Sequence, residues 1–285
     1  MDMTGKHIAI SGPTAGIGRT AAQELSRRGA QLTLLCRNEQ KAQELAEELE
    51  SAGGLAPNIV IMDMASLTSV RSAAQEILDR GVPLDILLNN AGIVNTTRCE
   101  TEDGFEETLA VNHFAPFLLT GLLLPALRMA DSARIVTVAS EAHSFVKSMG
   151  YEDMQARESY KTFREYGRSK LANILFTRVL SKRLEGLGMT ANCLHPGAVA
   201  TSLASQNKGL LAKILPVLLK PFFRSPEKGA ATSIYLCCSD EVKDISGEYF
   251  SNSKLAKAKP WARDDSAAEK LWAYTEECIG FEYPV

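Results

Sequence analysis

Tyr166 and Lys170 stand four residues apart in Tyr166-Gly167-Arg168-Ser169-Lys170, so a helix through them projects a phenol and an ammonium from one face. A phenol titrates near about 10 and moves protons poorly at neutral pH, whereas an adjacent ammonium favours its ionised form. The pairing therefore suits Tyr166 to general acid or base chemistry with a lowered pKa. Two solvated side chains on an exposed helix show the same spacing, so context decides.

That context begins with a glycine turn, Ser11-Gly12-Pro13-Thr14-Ala15-Gly16-Ile17-Gly18-Arg19, between an apolar run and an apolar-periodic helix. Glycines let the backbone turn tightly and approach a pyrophosphate, and a helix N-terminus offers it free N–H groups and partial positive charge. The spacing is G-x-x-x-G-x-G rather than the commoner G-x-G-x-x-G, and a plain strand-to-helix turn is the other reading. At the end of the second run the sequence is Leu35-Cys36-Arg37-Asn38. A carboxylate there would bond the ribose of NAD, whereas the Arg37 fork suits a 2′-phosphate, with Arg19 as a second positive charge. NADP(H) is the expected cofactor; a solvated Arg37 starting a helix is the alternative.

Short, often β-branched runs at His7 to Ser11, Leu32 to Cys36, Asn58 to Met62, Asp85 to Leu88, Arg134 to Ala139, Thr190 to Leu194 and Gly247 to Phe250 have the character of buried strands. Helical segments are expected at Thr20 to Arg28, Glu39 to Ser51, Leu67 to Arg80, Thr101 to Met129, Tyr166 to Leu184 and Glu227 to Cys237. This β-α alternation predicts a single α/β domain over residues 1–285: a Rossmann-type doubly wound parallel sheet with flanking helices and ligands at the strand carboxyl ends. Two segments break the alternation. Glu141 to Arg164 is polar and aromatic, and Ala200 to Arg224 is apolar, with Leu215 and Leu218 in a largely helical series. The second reads as a substrate lid over residues 200–224, a core helix or a peripheral membrane contact.

The glycine turn, Asn89-Asn90-Ala91-Gly92 after the fourth strand, Ser140 after the fifth, Tyr166-x-x-x-Lys170 and His195-Pro196-Gly197 follow one another in an order that resembles the short-chain dehydrogenase/reductase family over nearly the whole chain. Tyr166 to Phe176, the His195-Pro196-Gly197 triplet and Gly247-Glu248-Tyr249-Phe250-Ser251 are similar to its retinol dehydrogenase-like branch. The resemblance implies a catalytic tetrad of Asn112, Ser140, Tyr166 and Lys170. Ser140 would bond the substrate oxygen, Tyr166 exchange the proton, Lys170 bind nicotinamide ribose and tune Tyr166, and Asn112 hold a relay water. It also implies cofactor contacts from Gly12, Gly16, Ile17, Gly18, Arg19, Arg37, Asp63, Met64, Asn89, Ala91, Gly92, Tyr166, Lys170, Pro196, Gly197 and Thr201. Taken singly, Ser140 reads equally as a strand-end cap, Asn112 as a helix-bend residue and Pro196-Gly197 as a turn.

The wide interval between Ser140 and Tyr166 departs from compact family members and implies an excursion near the site. His143 and His195 are expected to pack or orient rather than catalyse, and Cys193, Cys237 and Cys238 to sit in the core. Membrane-bound relatives in that branch carry an N-terminal anchor, whereas here the first strand follows Lys6 directly.

Among 285 residues, 45% are hydrophobic and 23% charged, ordinary values for a folded globular protein. Lys plus Arg number 31 against 34 Asp plus Glu, so the net charge of -3 gives no general attraction to nucleic acid or anionic lipid. The six cysteines form neither a metal spacing nor a disulfide framework, which points to reduced thiols, no metal and a cytoplasmic setting. No signal peptide or transmembrane segment is expected. The reading is an NADP(H)-dependent oxidoreductase interconverting an alcohol with an aldehyde or ketone. An apolar, retinoid-like or other carbonyl is the expected substrate, with reduction favoured where NADPH predominates; a homo-oligomer remains open. A catalytically idle nucleotide-binding scaffold is the rival reading.

Overall fold

The computed structural model describes residues 1–197 and 225–285. Every residue of β1 (His7–Ser11) is buried, because helices cover both faces of the sheet it belongs to. Parallel neighbours follow as β2 (Gln31–Cys36), β3 (Asn58–Ile61), β4 (Ile86–Asn89), β5 (Ala133–Val138), β6 (Met189–His195) and β7 (Tyr249–Ser251). A short β8 (Lys254–Leu255) pairs antiparallel with β7. The order is β3-β2-β1-β4-β5-β6-β7-β8, so the winding reverses between β1 and β4, and a crevice opens at their carboxyl ends.

Alternate side chains enter opposite cores. Ile8, Ile10, Leu34 and Leu88 join one with α1 (Gly16–Arg27), α2 (Glu39–Ser51) and α6 (Pro226–Cys238). Ala9, Leu35, Leu87 and Ile135 join the other with α3 (Leu67–Asp79), α4 (Glu107–Arg128), α5 (Thr162–Arg183) and α7 (Asp265–Ile279). Cys193, Cys237 and Cys238 are buried core residues, and all six cysteines are free thiols.

Helix α4 starts later than the expected Thr101. Gly104 takes a positive φ of 81°, and the Glu106 carboxylate caps the helix by accepting from Thr108 N and Leu109 N at 2.9 and 2.7 Å. Its turn Ala110–Phe114 is a π-helix, a local widening that rotates Asn112 relative to the α-helical register. By length and hydropathy α4 passes for a membrane span, yet 89% of its most apolar window is buried inside the fold. Here it is a core helix, packed on α3 and α5.

Helix α7 and the tail after it were not anticipated. Asp264 caps the helix through Ala267 N at 3.1 Å, Gly280 ends it at a positive φ of 57°, and Leu271, Trp272, Thr275 and Ile279 recur at helical spacing on its buried face. Those signals stood in the sequence. Trp272 stacks on Phe176 of α5, and Arg183 of α5 lies 4.3 Å from the indole. Gly121 of α4 leaves the space that the rings of Phe281 and Tyr283 fill.

Candidate active site

One cleft at the β1/β4 crevice gathers most of the residues singled out from the sequence. Its floor is the glycine turn. Gly12 sits at φ 66°, and a side chain there would meet Ala91 Cα at 3.0 Å. A Cβ on Gly18 would lie 2.1 Å from the Gly12 carbonyl oxygen, so only glycine permits this packing. Gly16 (φ 52°) opens α1, whose N-cap residue Ala15 gives no side-chain cap. The first N–H groups of α1 are thereby left to the cleft, which Gly16, Ile17 and Gly18 line.

The turn is fastened across the crevice by two side chains. Ser11 Oγ accepts from the backbone N–H groups of Asn90 and Ala91, both at 3.0 Å, and Asn90 Nδ2 donates to the carbonyls of Ser11 and Gly12 at 2.9 and 3.2 Å. Ser11 was not a candidate contact, and Asn90 was singled out only as part of the Asn89 to Gly92 segment. Asn89, which was a candidate contact, faces away: strand alternation turns it with Leu87 toward α4, where its Nδ2 donates to Thr120 Oγ1 at 2.9 Å. It is Asn90, with Ala91 and Gly92, that lines the cleft.

Arg37, Asp63 and Met64 form the far end of the same cleft. Arg37 is exposed, and among the described residues its guanidinium makes no ion pair. Asp63 Oδ1 accepts from Ala65 N at 2.9 Å and shapes the turn after β3. Arg19 does not join them: its guanidinium pairs with Glu48 of α2, and it is not among the lining residues. A residue at the fourth position of α1 points along the helix flank toward α2, which explains the partner it finds.

At the opposite end Ser140, Tyr166 and Lys170 converge, with Pro196 and Gly197 beside them. Thr201, and the segment read as a lid over residues 200–224, lie outside the described residues. Ser140 follows β5, and its Oγ accepts from Ala142 N at 3.1 Å, leaving the hydroxyl hydrogen to be donated into the cleft. Tyr166 and Lys170 project from α5, with Lys170 Nζ 5.7 Å from the centre of the Tyr166 ring. The ammonium is buried and donates to the Val138 carbonyl at 3.0 Å. Burial lowers its pKa to about 8.

The phenol titrates differently from the sequence expectation. Burial is the largest influence and raises the Tyr166 pKa, with the Ser140 hydroxyl pulling the other way. The ammonium faces the ring and is tied to Val138, so in this arrangement Ser140 rather than Lys170 counters the loss of water.

Asn112 is fully committed to the protein. Its Oδ1 accepts from Ile93 N at 2.7 Å, and its Nδ2 donates to Ile93 O and Ser169 Oγ, both at 2.9 Å. Ser169 in turn donates to the Tyr166 carbonyl at 2.8 Å. The π turn thus joins the Ala91 to Ile93 strip to the helix carrying Tyr166. Gly92 completes the contact, since a Cβ there would lie 3.2 Å from Asn112 Oδ1 and 3.3 Å from Lys170 Nζ. Ser169 was missed; its place one residue before the lysine on the buried face of α5 was the available signal.

The arrangement can do two things. It offers main-chain donors and an arginine along a groove suited to an extended polyanionic dinucleotide, and it aims a phenol and a serine hydroxyl at one point at its end.

Comparison with known proteins agrees with this geometry. Residues 6–209 match the short chain dehydrogenase family. Retinol dehydrogenase 14 of Mus musculus is 44% identical over 291 residues, a match covering 98% of this chain and 87% of that protein. Human retinol dehydrogenase 13 is 38% identical, covering 98% and 86%. Among solved structures, an uncharacterized protein from Mycobacterium paratuberculosis superposes with a TM-score of 0.80 at 29% identity, over 100% of this chain and 97% of that one. An NADP-bound structure of a candidate NAD(P) dependent gluconate 5-dehydrogenase from Beutenbergia cavernae gives 0.70 at 26%, covering 88% and 96%.

Proposed function

The chain belongs to the short-chain dehydrogenase family and is an oxidoreductase acting between CH–OH and C=O groups; from that premise we propose that it uses NADP(H) and an apolar carbonyl or alcohol, retinoid-like in character. The observation that carries the reading is the convergence of Ser140, Tyr166 and Lys170 at the end of a groove floored by the glycine turn. The residues fit a dinucleotide: the uncapped helix start at Ala15 leaves main-chain donors to the groove, and the glycines Gly12, Gly16 and Gly18 that line it carry no side chain to keep a pyrophosphate from the backbone. Gly12, Gly16, Ile17 and Gly18 would hold the pyrophosphate, Asp63 and Met64 the adenine end, and Ala91, Gly92, Lys170, Pro196 and Gly197 the nicotinamide end. When bound, the nicotinamide gives or takes the hydride.

The protein's own groups manage the oxygen and the proton. In the reducing direction Ser140 donates its hydroxyl hydrogen to the carbonyl oxygen, and Tyr166 transfers the phenolic proton as negative charge develops there. A raised phenol pKa keeps that proton in place at neutral pH, which suits a general acid. Lys170, protonated at pH 7, supplies positive charge beside the ring and a donor for a ribose hydroxyl. Asn112 ties the strip at Ile93 to Ser169 of the helix that carries Lys170, and Gly92 leaves room for the ammonium.

NADP(H) is favoured over NAD(H) because the exposed Arg37 fork stands at the end of β2 where a carboxylate would repel a 2′-phosphate. The relatives named as retinol dehydrogenases favour an apolar alcohol or aldehyde.

The test is NADPH consumption over a panel of carbonyls in wild type and Tyr166→Phe. Turnover that disappears in the variant while NADPH binding persists is the expected result. Substantial residual turnover rejects Tyr166 as the acid, and an inactive wild type across the panel supports an idle nucleotide-binding protein. In parallel, Arg37→Asp is expected to weaken NADPH by about tenfold and to leave NADH within about twofold, given the solvent screening at an exposed site. Equal affinity of the wild type for both cofactors would remove the basis for the preference.

A further inference from the structure

Directly behind Ser140 lies an imidazole that the reaction does not touch. His143 is 1% exposed and belongs to the short 3-10 turn Glu141–Phe145 that starts at Ser140. Its Nδ1 lies 2.7 Å from the Ser140 carbonyl oxygen, and its Nε2 lies 3.3 Å from the backbone nitrogen of Lys259. The second contact fixes the first. A backbone N–H can only donate, so Nε2 must be the bare acceptor, and the single ring proton then sits on Nδ1 and is donated to the Ser140 carbonyl. That carbonyl also receives the His143 backbone N–H at 3.2 Å, so both of its lone pairs are used.

The ring is held from several sides. Tyr249 in β7 packs T-shaped against it with ring centres 5.4 Å apart, and the same phenol ring stacks on His195. Trp261 Nε1 donates to the His143 carbonyl at 3.3 Å. Residues far apart in the chain, 259 and 261 on one side and 140 on the other, therefore meet through one residue, with 259 and 140 joined by its ring.

We propose that His143 is a positioning residue for the reaction, setting the rotation of the Ser140 peptide through its Nδ1–H and drawing its own tautomer from the Lys259 N–H. The inference rests on the role given to Ser140 above. Ser140 has its Oγ held by Ala142 N and its carbonyl held by His143, so the residue that presents the hydroxyl to the cleft is fixed at both its side chain and its peptide. Misplacement of a reacting group by about 1 Å can cost a hundredfold in rate, so a fixed peptide at this point has kinetic weight. The brace also assigns a task to the segment 259–261: it supplies the donor that forces the tautomer.

Two substitutions divide the ring's bonds. The amide nitrogen of His143→Asn falls near the place of Nδ1 and retains the bond to Ser140, whereas the longer His143→Gln reaches toward Lys259 and loses it. H143N is expected to keep kcat within about threefold, and H143Q to lose about tenfold, the equivalent of one hydrogen bond, with NADPH affinity unchanged in both. Equal kcat values for the two variants would show that the ring only packs. Lys259→Pro approaches the same point without altering His143. The φ of Lys259 is -59°, which proline accepts, so the substitution removes chiefly the N–H. Relative to Lys259→Ala, which keeps that N–H, K259P is expected to lower kcat severalfold by releasing the tautomer.

A measurement independent of turnover completes the test. Long-range 1H–15N NMR of the full chain with labelled histidine should place the His143 proton on Nδ1. A proton found on Nε2 overturns the proposal whether or not the enzyme turns over. Tyr166→Phe measured alongside separates the two readings: residual turnover there rejects the assigned acid and leaves the His143 tautomer to stand or fall on its own spectrum.

Discussion

The cleft wall at β1 and β4 and the packing behind α5 are built by opposite means. On the first side the critical feature is missing atoms: Gly12 and Gly18 let main chain approach main chain, Gly92 lets the side chains of Asn112 and Lys170 come close, and Ser11 and Asn90 stitch the result with hydrogen bonds. On the second it is bulk, as Phe117, Phe176, Trp272 and Tyr283 interlock with ring centres 4.6 to 6.4 Å apart. The same helix, α5, carries Tyr166 and Lys170 toward the first and Phe176 toward the second. A substitution in the wall should therefore damage ligand binding with modest loss of stability, and one in the aromatic cluster the reverse.

The largest effect that would expose this division is Trp272→Ala. Removing a fully buried indole should cost about 3 to 5 kcal/mol of stability and lower Tm on the order of ten degrees. NADPH affinity, measured by titration well below the new Tm, should stay within about twofold. A large loss of affinity at that temperature would mean that the cluster sets the cleft's shape as well as its stability.

Gly18→Ala should give the mirror image. A methyl 2.1 Å from the Gly12 carbonyl must push the turn apart, at an overpacking cost of about 1 to 3 kcal/mol, which appears as roughly ten- to a hundredfold weaker NADPH binding. Isothermal titration and thermal melts on the same sample would compare the two costs. A fall in Tm without a change in affinity would contradict the division.

The smallest effect lies at the seam between the regions. His113, next to Asn112 on the π turn, places Nε2 2.9 Å from Thr275 Oγ1 of α7, and burial lowers its pKa to about 3. The unfolded chain binds a proton there below about 6.5 while the folded chain does not until about 3, so this site's contribution to stability is complete above pH 6.5 and is lost as pH falls through that window. Replacement by Gln should make the decline of Tm between pH 6.5 and 3 shallower. Some slope should remain, because burial also lowers His7 and His143. An unchanged acid limb would show that His113 titrates as a normal histidine.

The two regions also differed in how plainly the sequence announced them. The glycine turn, the Asn89 to Gly92 strip and Tyr166-x-x-x-Lys170 are short patterns whose meaning follows from local backbone geometry, and the structure places most of them in one cleft. Helix α7 carried a cap and a helical period but no pattern tied to chemistry, and its importance comes from distant partners in α4 and α5. Arg19 and Asn89 show the limit of motif reading. Both sit inside a legible pattern, yet helix phase sends one to Glu48 and strand alternation sends the other to Thr120.

What the sequence determined by itself was the β-α alternation, the family, the glycine turn and the residue types of the tetrad, because each depends on φ freedom, periodicity or spacing within a few residues. Only the tertiary structure decided which groups in those patterns face the cleft, the direction of the Tyr166 pKa and the tautomer of His143. These depend on burial and on partners more than a hundred positions away, such as Lys259 against His143 and Thr275 against His113. Local pattern fixes where the backbone can go; the balance of water lost and hydrogen bonds gained is set only when distant segments pack.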